Sequence, residues 1–157
     1  MNIWITGSTG FIGSHLLKNL ENKGHEVTCF SNNLELLKKR GKDINVNYLD
    51  FSSKTDIRDY IIRLGCPQRF IHLGWGDMTV PMSKLHLTKN IENSNNLIES
   101  LLGAGIEKFI FVGSMNEYGS KTGSLSEDME PEGRVINYAK GKLEVSEFGF
   151  KRADFYK

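Results

Sequence analysis

Tyr138 and Lys142 stand four residues apart in Tyr138-Ala139-Lys140-Gly141-Lys142. On a helix that spacing puts both side chains on one face. A lysine ammonium beside a phenol favours the phenolate and lowers the tyrosine pKa. The unperturbed phenol titrates near ~10, so it needs such help to act as a base at neutral pH. Ser114 lies in Gly113-Ser114-Met115-Asn116-Glu117-Tyr118-Gly119, directly after an apolar run. A hydroxyl at the carboxyl end of a strand would share that cleft and orient a substrate alcohol or carbonyl. Singly, a Tyr/Lys pair is also what a solvated helix face looks like, and a serine after a strand is also a loop or cap residue.

The second group with chemical meaning is Thr6-Gly7-Ser8-Thr9-Gly10-Phe11-Ile12-Gly13. An apolar-rich run, Asn2 to Ile5, precedes it, and a stretch with helical spacing, His15 to Leu20, follows. Strand, glycine loop and helix are the context that makes a glycine pattern a dinucleotide site. Gly7 suits a tight turn, Gly10 lets a pyrophosphate approach the backbone, and Gly13 allows close helix packing. The free N–H groups at the helix start, with the helix dipole, attract phosphate. The spacing is Gly-x-x-Gly-x-x-Gly, and no Gly-Lys-Ser/Thr follows, which disfavours a P-loop.

The elements that must position these groups alternate along the chain. Helices are expected over about 11–22, 34–40, 54–64, 83–104 and 135–150, and strands over 2–5, 26–30, 45–49, 69–73 and 108–112. The last of these strands is the most apolar and is expected at the centre of the sheet. This alternation specifies an α/β fold of the Rossmann type, a doubly wound parallel sheet with helices on both faces. Ligands in such sheets bind at the carboxyl edge of the strands.

A chain of 157 residues fits one domain, 1–157. Charged residues make up 25% and the net charge is +1, a balance that points to neither nucleic acid nor a membrane surface as partner. Cys29 and Cys66 lack metal-ligand spacing, no metal site is expected, and both read as free thiols. No leader pattern precedes the first strand, and no apolar run is long enough to span a bilayer, so a soluble cytoplasmic protein is expected.

Together these motifs resemble the extended short-chain dehydrogenase/reductase family, most closely its nucleotide-sugar epimerases and dehydratases. The matching pieces are Thr6-Gly-x-x-Gly-Phe-Ile-Gly13, Ile71-His-Leu73, Asn90-Ile91 with Asn96-Leu97, Ser114-x-x-x-Tyr118-Gly119 and Tyr138-x-x-x-Lys142. They occur in family order and cover nearly the whole chain. The resemblance implies Tyr138 as general acid/base on a sugar hydroxyl and Ser114 as a contact to the reacting oxygen. It implies that Lys142 bonds the nicotinamide ribose and tunes Tyr138. NAD or NADP would take the hydride. The implied cofactor contacts are Gly7, Thr9, Gly10, Phe11, Ile12, Gly13, Ser31, Asn32, Asp50, Phe51, Leu73, Gly74 and Asn90, besides Tyr138 and Lys142. Asp50 matches the acidic residue that contacts adenine, and Asn90 an asparagine that supports the site. A nucleotide-sugar substrate and a homo-oligomer are also implied.

Three features depart from that pattern. Ser31, followed by Asn32, stands where NAD-binding members end the second strand with an acid that holds the ribose hydroxyls. With no carboxylate to repel a 2′-phosphate, and with Lys38, Lys39 and Arg40 nearby in sequence, NADP is slightly favoured over NAD. Trp75, in Leu73-Gly74-Trp75-Gly76, replaces a small residue; it is either a loop packing residue or an aromatic wall of the site. Family members continue beyond the Tyr-x-x-x-Lys helix into a substrate-binding region that residues 1–157 do not include, so poor turnover by this chain alone is expected. The alternatives are an NAD(P)-binding regulatory module, or a subunit that does not catalyse independently.

Overall fold

The computed structural model describes residues 1–32 and 46–156. The helix expected over 34–40, and with it Lys38, Lys39 and Arg40, lies outside the described residues. The chain runs β1 (Asn2–Thr6), α1 (Phe11–Asn22), β2 (Glu26–Ser31), β3 (Val46–Tyr48), α2 (Lys54–Leu64) and β4 (Arg69–His72). It continues through a 3-10 turn (Lys84–Leu87), α3 (Lys89–Gly103), β5 (Lys108–Phe111), a second 3-10 turn (Met115–Tyr118) and α4 (Asn137–Phe155). The strands form one parallel sheet in the order β3-β2-β1-β4-β5. Ile5 pairs with Cys29 on one side and Ile71 on the other, so β1 is the central strand.

Alternation along β1 sorts its side chains between two cores. Ile3 and Ile5 pack with Leu17 of α1, Cys29 and Ile71. Trp4 points the other way, with Phe30, Leu49, Phe51 and Phe70, under Ile57 of α2 and Leu97 and Leu101 of α3. Helices therefore cover both faces. A third cluster, Ile91, Ile98 and Val145, ties α4 to α3. Each large apolar side chain buried this way contributes about 1.5–3 kcal/mol.

Two expectations are corrected. The apolar strand Lys108–Phe111 ends the sheet order instead of occupying its centre. Its apolar residues Phe109 to Phe111 are only half-buried and pack as satellites of the cores. The helix expected over 83–104 is broken: Thr88 leaves helical geometry at φ −128°, ψ −92°. Its hydroxyl bonds back to the Lys84 carbonyl, a contact that bends helices, and its β-branch is a poor helix former. α4 starts two residues later than expected, at Asn137, and runs on to Phe155.

Candidate functional site

The chain fills β1, β2 and β3 outward, then crosses back to β4 and β5 on the other side of β1. A cavity of about 770 Å³ lies along the carboxyl ends of the strands at that reversal. From the end of β2 to the end of β5 it spans roughly 14 Å, at ~4.8 Å per strand spacing.

One half of the wall is mostly backbone. Gly7, Thr9, Gly10, Phe11, Ile12 and Gly13 all line the cavity. Gly7 has φ +72°, and a Cβ there would fall 2.7 Å from the Gly74 nitrogen. At Gly13 a Cβ would fall 2.1 Å from the Gly7 carbonyl oxygen, so the first turn of α1 sits directly on the loop backbone. Gly10 is roomier, with its closest neighbour, the same oxygen, at 3.3 Å. α1 has Gly10 as its N-cap, with no side-chain cap bond and no acidic residue in its first turn. Its first N–H groups thus keep their positive end of the dipole uncompensated. Phe11 and Ile12 are 84% and 61% exposed, large apolar side chains at the cavity rim.

Ser31, Asn32 and Phe51 line the cavity at the ends of β2 and β3. Asp50 stands outside the wall: its carboxylate accepts the Ser52 hydroxyl at 2.7 Å and the Ser52 N–H at 2.9 Å. Those two bonds, the hydroxyl's foremost, hold its pKa below the ordinary carboxylate value.

At the middle, Leu73 and Gly74 line the cavity, and a buried chain of hydrogen bonds fixes them. The Gly74 N–H donates to Thr6 Oγ1 (3.0 Å), and Thr6 Oγ1 donates to His72 Nδ1 (2.6 Å). His72 Nε2 donates to Ser94 Oγ (3.0 Å), and Ser94 donates to the Asn90 carbonyl (2.8 Å). One histidine tautomer satisfies every group in the chain. Burial, and secondarily the Lys142 charge, depress the His72 pKa to about 3. Asn90 lines the cavity and clamps Gly76, accepting its N–H (3.3 Å) and donating to its carbonyl (2.9 Å).

The remaining wall is built from side chains of α4 and the loop after β4. Tyr138 and Lys142 line it together with Trp75. α4 is docked there by its first residues: the Tyr138 N–H donates to the Pro81 carbonyl (3.0 Å), and the Asn137 amide to the Met82 carbonyl (2.8 Å). Lys142 is 4% exposed. Its Nζ donates to the Val112 carbonyl (2.7 Å) and lies 4.6 Å from the ring centroids of both Trp75 and Phe111, 5.7 Å from that of Tyr138. Desolvation lowers its pKa to about 8, with Glu117 pulling the other way. Ser114 is next to Gly113 of the wall but outside it, where its hydroxyl accepts the Asn116 N–H (3.2 Å) and caps the second 3-10 turn. Glu117 completes that cap by accepting the Ser114 N–H at 2.6 Å, and burial raises its pKa.

Of the residues expected at a site, the fold thus brings all but Asp50 and Ser114 to one cavity. Sequence reasoning overlooked His86, Ser94 and Glu117. His86 precedes Asn90 by four residues, a helical-face spacing that was the available signal. Among the described residues no group of three or more His, Cys, Asp or Glu is arranged to hold a metal. No helix there is long and apolar enough to cross a membrane. Cys29 and Cys66 are free thiols.

A parallel sheet thus carries a glycine-loop helix at its central strand and a Tyr-x-x-x-Lys helix at the same cavity. Residues 3–151 match the NAD dependent epimerase/dehydratase family, and the chain belongs to that family. It is 32% identical to an uncharacterised UDP-glucose epimerase, YtcB, of Bacillus subtilis (strain 168), over 82% of this chain and 44% of that protein. Its fold is that of a UDP-glucose-4-epimerase from Stenotrophomonas maltophila solved with NAD and formylated UDP-arabinopyranose (TM-score 0.79, 20% identity, 100% of this chain and 50% of that one). It also matches the UDP-glucose 4-epimerase of Thermotoga maritima with UDP-glucose (TM-score 0.78, 22% identity, 99% and 52%). The chain spans about half the length of these relatives.

Proposed function

We propose that this chain binds NAD or NADP in the cavity and carries the proton-transfer residues of an epimerase, dehydratase or reductase acting on a nucleotide-sugar. The observation that carries this reading is one continuous cavity lined both by the uncapped start of α1 and by Tyr138 and Lys142. The residues fit a dinucleotide: Gly10 leaves room where a side chain would intrude, and the first-turn N–H groups of α1 await an anion. When bound, the nicotinamide supplies hydride acceptance and return.

The chain's own residues do the rest. The Gly7–Gly13 loop and the α1 N-terminus hold the pyrophosphate, and Phe51, Ser31 and Asn32 border the adenosine half. Lys142 uses one of its three donors on Val112, which leaves donors for a ribose hydroxyl. The Tyr138 hydroxyl takes a proton from a sugar hydroxyl and returns it, with the Lys142 ammonium 5.7 Å from its ring centroid. Ser114 borders the same end and is assigned to the reacting oxygen. The UDP-glucose in the Thermotoga maritima structure supports a UDP-hexose as the first substrate class to try. Ser31 carries no charge to repel a 2′-phosphate, so NADP is accepted at least as well as NAD.

Calorimetric titration with NAD and NADP tests the reading. The wild-type chain binds, and Gly10→Val weakens binding at least about tenfold by placing a side chain in the pyrophosphate's space. Equal affinity in Gly10→Val removes the glycine loop as the site.

A further inference from the structure

We infer that Trp75 is a positioning residue: its indole, locked by a hydrogen bond to His86, is the platform that sets the Lys142 ammonium and the Tyr138 ring relative to one another. This rests on the cavity being the dinucleotide and proton-transfer site proposed above.

The lock is fully specified. Trp75 Nε1–H donates to His86 Nδ1 at 3.0 Å, and the two rings stack with an interplanar angle of 16°. His86 is completely buried and has no freedom to turn. Its Nε2 donates to the Val80 carbonyl (3.0 Å), and its Nδ1 also receives the Asn90 amide (3.2 Å). One tautomer, with the proton on Nε2, serves all three contacts. Asn90 holds Gly76 from the same side, so the loop carrying Trp75 is pinned at both the side chain and the backbone.

The platform then faces α4. The Trp75 ring meets Tyr138 edge-on at 6.2 Å, and His86 meets it edge-on at 5.5 Å. The Lys142 Nζ lies over the Trp75 ring at 4.6 Å, a cation–π contact strengthened by its burial. Gly141 makes this approach possible: a Cβ there would fall 2.3 Å from the His86 carbonyl and 3.2 Å from Trp75 Cζ2. Without the indole, Lys142 would gain water and Tyr138 would lose one of the two rings that fix its plane. Trp75 does no chemistry itself. It decides where the two groups that do chemistry stand.

The charged and titratable groups around Lys142 are Tyr138 on its own helix, Glu117 from the second 3-10 turn and His72 from β4. His86 also faces α4, so Trp75→Phe, which changes no titratable group, is the cleaner of the two variants. The test follows the Lys142 side chain itself, by its ¹³Cε resonance in the lysine-labelled chain, assigned with Lys142→Met. In wild type it titrates near pH 8. In His86→Leu and in Trp75→Phe the ammonium becomes hydrated, and the midpoint rises by about one pH unit or more toward the ordinary value near ~10.4. His86→Gln offers an amide oxygen to the indole and an N–H to Val80, and restores the wild-type midpoint. Trp75→Phe, a milder change, decides the matter if His86→Leu does not fold. An unchanged midpoint in the folded variant overturns the inference. NAD titration of wild type is run beside it: failure to bind there removes the functional reading, while the lysine midpoint still decides the role of Trp75.

Discussion

The glycine loop and the Trp75–Lys142 cluster belong to one cavity but are made of different materials. Around Gly7, Gly10 and Gly13 the wall is main chain, and side chains are excluded by contacts as short as 2.1 Å to a hypothetical Cβ. Around Lys142 the wall is side chain: two aromatic rings and a carbonyl hold a cation that is nearly out of water. The backbone half is set largely within eight residues, with Gly74 from the loop after β4 closing against Gly7. The side-chain half draws on the loop after β4, a 3-10 turn, β5 and α4, and none of these specifies it alone. The first suits binding of a constant group such as a pyrophosphate. The second suits tuning a proton, because burial and neighbouring charges move a pKa while a backbone N–H does not titrate.

The sharpest break between the halves is Tyr138→Phe. It keeps the ring contacts with Trp75 and His86 and deletes only the hydroxyl. On the proposed function, dinucleotide affinity and melting temperature stay near wild type, while nucleotide-sugar turnover falls about 10²- to 10⁴-fold, or roughly 3–5 kcal/mol of barrier. Full turnover in Tyr138→Phe would refute the assigned acid/base.

His72 joins the halves, with Thr6 on one side and Ser94 on the other, and acid should separate them. Its folded pKa, about 3, lies below the unfolded 6.5. The unfolded chain therefore binds more protons between those values, and stability falls as pH drops below about 6.5. The loss approaches about 4 kcal/mol near pH 3. Chemical denaturation at several pH values measures it, and His72→Asn should flatten the profile in that window. A profile that His72→Asn leaves untouched assigns acid sensitivity elsewhere.

Lys142 gives a slope in another window. Its folded pKa, about 8, lies below the unfolded value of 10.5. The cost of its buried charge is full below pH 8 and is relieved as pH rises toward 10.5, a gain of up to about 3 kcal/mol. Lys142→Met should abolish the rise. Gly13→Ala tests the backbone half with a comparable effect. The methyl has only main-chain atoms to push, so destabilisation of about 2–3 kcal/mol is expected, against about 1 or less for Gly10→Ala. Equal melting temperatures for the two would show that the loop yields.

The smallest effect concerns Ser31. Ser31→Asp supplies a carboxylate for ribose hydroxyls and against a 2′-phosphate, and should shift the NAD/NADP affinity ratio toward NAD by about tenfold. An unmoved ratio places discrimination at another residue.

Much of this molecule was legible in the chain because its periodicities are local. α1 and α2 fall over the expected ranges, since each has a glycine or serine start signal and a glycine or turn after it. The glycine loop was readable for the same reason: its conformation depends on small residues at fixed spacings. Tyr138 and Lys142 were found through their shared helical face. What stayed hidden depended on partners far away in sequence. β5 is the most apolar strand, yet its place at the end of the order is set by which edge remains open after β4 pairs with β1. The break at Thr88 depends on a single back-bonding hydroxyl. Asp50 carries the expected charge, but Ser52, two residues on, claims its carboxylate for a turn.

The sequence by itself determined the α/β class through its alternating strand and helix periods, and the glycine loop and the lysine–tyrosine pair because each is written within one turn or one helix face. The tertiary structure alone decided that Trp75 stands over Lys142, that His86 locks it, and that His72 links Thr6 to Ser94. Those contacts join residues 11 to 67 positions apart, and no local spacing encodes them. Burial then does what composition cannot: by removing water it moves a lysine down to about 8 and a histidine to about 3.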